Sequence, residues 1–186
     1  LEDSNTSNEE LESMIENANN SILTLQSDIV VQQNLVAEWT DRAIKNDFSN
    51  IDLSNADLTT SNLLGANLRY ADLSYADLSR TASLEHTDLT GADLTGADLS
   101  YGSVNHADLT GADLRYANLS DAYLWHANLV GAYLTGADLY DAYLWYADLT
   151  GADLSDVDLS GVNWRDTICP DGTNSDNNGD TCENNL

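Results

Sequence analysis

From residue 48 onward, one large apolar residue arrives at every fifth position. The series runs Phe48, Leu53, Leu58, Leu63, Leu68, Leu73 and Leu78. After one extra residue it resumes at Leu84, Leu89, Leu94 and Leu99, then continues through Val104 and Leu109 to Leu159 and Trp164. Two residues before each stands a small one, usually Ala, as at Ala56, Ala66, Ala71, Ala92, Ala107 and Ala147. Polar residues fill the rest, so the unit reads A-(D/N)-L-(S/T)-x. A period of five suits neither standard element. On an α-helix the leucines would wander around the whole cylinder, and on a straight strand an odd step would send them to alternate faces. They share one interior only if the chain turns once per unit. A turn of about 90° closes a coil every twenty residues, and a wider one closes at fifteen.

The aromatic residues decide between these closures. Tyr123, Trp125 and His126 recur as Tyr143, Trp145 and Tyr146, and His86, His106 and His126 follow the same step of twenty. Coils stacked as a β-helix lie about 4.8 Å apart, so about six of them make a rod of roughly 29 Å. Leu fills each face and Ala the tighter space beside it. Each buried Leu contributes about 1.5–3 kcal/mol, and a core this regular leaves no internal pocket. Two irregularities stand out. The stretch "SRTASLEH" (79–86) carries the extra residue, read as a bulge near Arg80–Thr81. In "YGSVNH", Gly102 and Val104 replace Ala and Leu, which predicts a locally thinner face.

The pattern changes before residue 47. Leu11, Ile15, Ala18, Ile22, Leu25, Ile29, Gln32, Val36, Trp39 and Ala43 alternate steps of four and three, the heptad signature of a helix. That stretch would be roughly 50 Å long if continuous. It either protrudes and pairs with another chain, or breaks at the polar "NANNS" (17–21) and folds back; capping of the coil end and self-association both stay open. Leu11, Ile15, Ile22, Leu25, Ile29, Val36 and Trp39 are the candidate oligomerisation residues, with Gln32 as a register-setting polar position. The segments are then 1–46, helical; 47–166, the repeat; and 167–186, a tail.

These A-(D/N)-L-x-x units resemble the pentapeptide-repeat family, over roughly residues 46–166. The resemblance implies an all-β solenoid, a right-handed quadrilateral β-helix of about six coils, beside the N-terminal helical segment. Family members include DNA mimics that bind gyrase and many proteins of unassigned role, abundant in cyanobacteria. The tail "CPDGTNSDNNGDTC" is similar to cysteine-bracketed tails on exported cyanobacterial members.

The tail is rich in turn residues, and Cys169 and Cys182 bracket it. An even pair in this setting favours a disulfide and an oxidising compartment: periplasm, thylakoid lumen or the exterior. The chain begins "LEDSNTSNEE" without Met, as expected of a processed or trimmed N-terminus. Asn174, Asp176, Asn178 and Gly179 form a partial calcium-loop pattern that lacks the first Asp and the closing Glu. Thirty-two acidic residues against 6 basic ones give a formal charge of −26, which excludes nucleic acid as a direct partner. No apolar run approaches the roughly 20 residues of a membrane span.

What remains for function is the surface. Exposed Tyr and Trp in a cluster are interface chemistry, so the candidate binding residues are His86, His106, Tyr123, Trp125, His126, Tyr143, Trp145 and Tyr146, with Glu85, Asn105 and Arg165 on the same face. Like-on-like packing between coils explains the same cluster without a ligand, and carbohydrate stacking stays open too. A straight row of imidazoles does not converge on a point, so no metal and no cofactor is expected. No cleft or nucleophile–base pair is visible, and an enzyme is not expected. The expected function is a non-enzymatic, exported structural or protein-interaction module with an unidentified protein partner, able to form a homo-oligomer or fibre. The alternatives are a DNA-mimic regulator of gyrase and a self-assembling filament subunit. Interchange of Asp88, Asp93 and Asp108 with Asn62, Asn67, Asn118 and Asn128 argues that hydrogen bonding at the turn matters more than charge, which weakens mimicry.

Overall fold

The computed structural model describes residues 2–80, 83–177 and 179–183, and within the N-terminal helix the side chains at 14–33, 38 and 41–43. It contains two compact units, Leu1–Lys45 and Asn46–Leu186.

The first is a single helix, α1, spanning Glu2–Ile44. At about 1.5 Å per residue it is roughly 65 Å long. Of the two courses open to this stretch, the helix takes the continuous one, without a break at 17–21. The short polar side chains there are absorbed by the helix itself: the Ser21 hydroxyl donates to the Asn17 carbonyl at 2.9 Å and the Thr24 hydroxyl to the Asn20 carbonyl at 3.0 Å. Leu11, Val36 and Trp39 have side chains outside the described residues; Ile15, Ile22, Leu25 and Ile29 are 51–61% exposed, so none is covered by a fold-back.

The second unit is held by isolated parallel bridges rather than by long strands. One file of paired residues runs Asp47, Asn67, Asp88, Asp108, Asn128, Asp148 and Ile168, and another Ser83, Ser103, Tyr123, Tyr143 and Asn163. The step is twenty except for pairs spanning residues 79–82, where Asn62 meets Ser83 and Asp77 meets Asp98, a step of twenty-one. The extra residue is thus absorbed locally. Thr81 itself lies outside the described residues.

The unit 107–111 shows why five residues suffice. The Asp108 N–H donates to the Thr87 carbonyl of the coil before, and the Leu109 and Gly111 N–H groups donate to Asn128 and Val130 of the coil after. The Ala107 N–H closes a turn onto the Val104 carbonyl. The fifth donor, the Thr110 N–H, is taken by the Asp108 carboxylate at 3.0 Å. Every backbone donor in the unit is satisfied, the condition for burying so much chain. At the corner, Gly111 has φ +62°, the positive value needed at the third position of a type II turn.

Inside, the described Leu and Ala from Ala66 to Leu149 are essentially inaccessible. Phe48, Ile51, Leu53, Leu58 and Leu63 are only partly buried at the start, and Trp164 closes the leucine series at the end. The face at Gly102 is closely packed: a Cβ there would lie 2.8 Å from the Leu99 carbonyl oxygen, and Val104 is fully buried. Beyond Trp164 the chain makes one more parallel rung, Ile168 on Asp148, and then stops coiling. Ile168 pairs antiparallel with Asn174, the Thr167 hydroxyl donates to the Leu144 carbonyl at 2.7 Å, and Cys169 and Cys182, both buried, are joined in a disulfide. A hairpin thereby replaces the next parallel rung.

Candidate functional site

The side of the solenoid carrying Tyr123 and Tyr143 holds a continuous ladder of rings. Tyr123 stacks on Tyr143 with centroids 5.1 Å apart, and Trp125 on Trp145 at 5.2 Å and 4°. Around the next corner His86, His106, His126 and Tyr146 stack at 4.7–4.8 Å. These separations reproduce the spacing between coils. Tyr123 meets Trp125 edge-on, as Tyr143 meets Trp145, so the two files lock together. The eight candidate residues therefore form two stacked sets, Tyr123, Trp125, Tyr143 and Trp145 in one and His86, His106, His126 and Tyr146 in the other. Tyr123 is 40% and Trp125 38% exposed; the three imidazoles are exposed, while Tyr143 and Trp145 are half-buried.

Two features orient the ladder. The Arg165 guanidinium, one coil beyond, sits 5.6 Å from the Trp145 centroid and 6.0 Å from that of Tyr146, a cation–π cap. Trp145 thus has an indole on one side and a cation on the other. At the opposite end, Tyr123 occupies the position where Asp or Asn normally accepts the turn N–H, and leaves the Trp125 N–H without its usual partner. Asn105 of the preceding coil replaces it, accepting the Trp125 N–H at 2.9 Å. The Asn105 amide is held for this by its own Nδ2, which donates to the Ser103 hydroxyl at 3.1 Å; that hydroxyl donates to Glu85 at 2.6 Å. Sequence reasoning placed Glu85, Asn105 and Arg165 on this face without seeing these roles, because each acts on a residue one coil away.

A second aromatic arrangement escaped the sequence altogether. Tyr70, Tyr75 and Tyr116 stand at positive-φ corners, and each lays its ring over a glycine in the following coil. Cβ atoms at Gly91, Gly96 and Gly136 would come within 2.6–2.8 Å of those rings. The signal is a Tyr followed by Gly one coil later, visible only once the register is known.

The imidazole rings are parallel, so their nitrogens form a row rather than a cage. Among the described residues, no group of three His, Cys, Asp or Glu is placed to hold a metal ion. In the tail, Asp176 accepts the Asp166 N–H at 2.9 Å and Asn174 accepts the Asp176 N–H; Asn178 lies outside the described residues.

The family model described as pentapeptide repeats matches residues 47–81, 82–115 and 117–156, in eight copies. Among solved structures, the chain is similar to a pentapeptide repeat protein (Rfr23) from the cyanobacterium Cyanothece 51142, at 23% identity over 69% of this chain and 93% of that one, with a TM-score of 0.42. It is similar to alr5209, a pentapeptide repeat protein from Nostoc Pcc 7120, at 35% identity over 70% and 92% of the two chains, with a TM-score of 0.27. It is also similar to QnrB1, a plasmid-mediated fluoroquinolone resistance protein, at 24% identity over 62% and 78%, with a TM-score of 0.31. No curated protein matches the chain.

Proposed function

The chain belongs to the pentapeptide-repeat family, and from that premise we propose that it is a non-enzymatic protein-interaction module whose contact surface is the aromatic ladder. Its body is a right-handed four-sided β-helix of about six coils, over residues 47–166, preceded by the helical segment 1–46 and closed by the disulfide-bonded loop 167–186. The supporting observation is the connected, partly exposed set of Tyr123, Trp125, Tyr143 and Trp145. Rigid Tyr and Trp lose little entropy on contact and are frequent anchors of protein interfaces. A sugar would need open ring faces, and those of the indoles are largely taken up by stacking and by Arg165. The buried disulfide supports an extracytoplasmic setting.

A DNA mimic of gyrase needs carboxylates projecting as a phosphate-like array. Here Asp52, Asp57, Asp72, Asp88, Asp93 and Asp98 turn one oxygen back to a backbone N–H two residues on, which favours the interaction module. The direct test compares capture of partners by the wild-type chain, by Trp125→Ser/Trp145→Ser and by Tyr133→Ser on another side. Partners lost with the ladder variant and kept with Tyr133→Ser support the proposal; equal retention by all three refutes it. Inhibition of gyrase supercoiling by wild type and ladder variant alike would establish the mimic instead.

A further inference from the structure

The ladder uses no residue of α1, yet α1 carries its own organised surface. Ile15, Ile22 and Ile29 recur every seven residues, interleaved with Ala18, Leu25 and Gln32. In heptad terms the isoleucines occupy every a position of the described side chains and the second set occupies d. The four large apolar members of this seam are more than half exposed. A long helix of this kind draws most of its stability from covering its apolar stripe, and within its own unit nothing does so.

The groove on this surface is lined by Leu25, Asp28, Ile29, Gln32 and Gln33. The first four are successive d, g, a and d positions, the set that forms the hole for an a-position knob of a facing helix. The described positions flanking the seam, Met14, Asn19, Ser21, Gln26, Asp28 and Gln33, carry one charge among them, in a chain of net charge −26. Glu16 lies off the seam. Two copies therefore bring no like charges face to face, and a basic partner helix finds no acidic file to read. Isoleucine at each described a position, with Leu25 at the central d position, favours two parallel strands, and Gln32 at the next d sets their register. We infer that α1 forms a parallel two-stranded coiled coil with a second copy of this chain.

This rests on the module reading only in supplying its valency: each dimer carries two ladders. Sedimentation equilibrium of the full chain is expected to give twice the 20.2 kDa monomer mass. Ile22→Asp/Ile29→Asp should return it to one chain, while the ladder variant should leave the mass at two. A Gln32→Cys variant should cross-link quantitatively to a covalent dimer under mild oxidation, because d positions of parallel in-register strands face each other; Asn20→Cys, on the far side, should not. A monomer at about 100 μM, far above the sub-micromolar affinity of a stable dimer, overturns the inference. So does a bundle of three or more chains, the state that would also cover the exposed Leu23 and Val30. A dimer that Gln32→Cys fails to cross-link overturns the parallel arrangement. Loss of partner capture by the ladder variant with an unchanged dimer mass separates this inference from the proposed function.

Discussion

At the scale of the residue, a five-residue unit that carries Asp or Asn before its central Leu is organised by one oxygen atom. The Asp108 carboxylate accepts the Thr110 N–H at 3.0 Å and the Asn128 amide at 3.2 Å, and Asn118 performs the same service for Ser120 at 3.1 Å. Either side chain offers that oxygen, which is why Asp and Asn interchange along the chain and why this element of the fold was legible without coordinates. Asp108→Ala should therefore destabilise by about 1–2 kcal/mol, the cost of an orphaned donor, and Asp108→Asn by less than half of that, in chemical denaturation. Equal losses would mean that charge, not the acceptor, is what matters. The roofing of glycine by tyrosine was not legible, since it joins residues a full coil apart. It makes a second prediction. Gly131 and Gly136 both have positive φ, but only a Cβ at Gly136 meets a ring, that of Tyr116 at 2.8 Å. Gly131→Ala should cost about 1–2 kcal/mol, the price of a left-handed residue, and Gly136→Ala measurably more. Tyr116→Ala in the same chain should erase the difference, read as a double-mutant cycle.

At the scale of the element, the period of twenty was legible because the aromatics repeat along with the leucines. The sequence left the course of α1 at 17–21 open for a definite reason: Asn17, Asn20 and Ser21 weaken a helix but do not remove its hydrogen bonds, and Ser21 and Thr24 hand theirs to carbonyls four residues back. The tail was read as a closed loop, while its hairpin pairing of Ile168 with Asn174 depends on contacts no local pattern reveals. The disulfide closes a loop between Cys169 and Cys182, 13 residues apart, worth about 3 kcal/mol by the chain-entropy model. Reduction, or Cys169→Ser/Cys182→Ser, should lower the stability of the solenoid by about that amount. Trp164, buried beside the tail, should report the opening through a red-shifted emission. An unchanged unfolding midpoint would show that the hairpin and Thr167 hold the end without the covalent link.

At the scale of the whole molecule, acid sets two effects against each other. The carboxyls of Asp52, Asp77, Asp153 and Asp158 are held below the usual carboxylate value of 3.8, first by hydrogen bonds from the serine hydroxyls two residues on. Asp113 is lowered by Arg115. At Asp88 burial pushes upward, but Thr90 and Arg69 together outweigh it. A group whose folded value lies below its unfolded one adds stability above the unfolded value and loses it as pH falls through the folded one. Acidification therefore removes support from the turns. It also removes negative charge from a chain that begins at −26, and relief of that repulsion stabilises. Salt separates the two, because the screening length drops to about 3 Å at 1 M, leaving hydrogen bonds in contact while muting repulsion between coils. In about 1 M salt the thermal midpoint should fall between pH 5.5 and pH 3; in about 0.01 M salt, where screening extends to roughly 30 Å, the fall should shrink or reverse. A midpoint that rises on acidification in high salt would mean that the turn carboxylates contribute less than their repulsion costs even at contact distance.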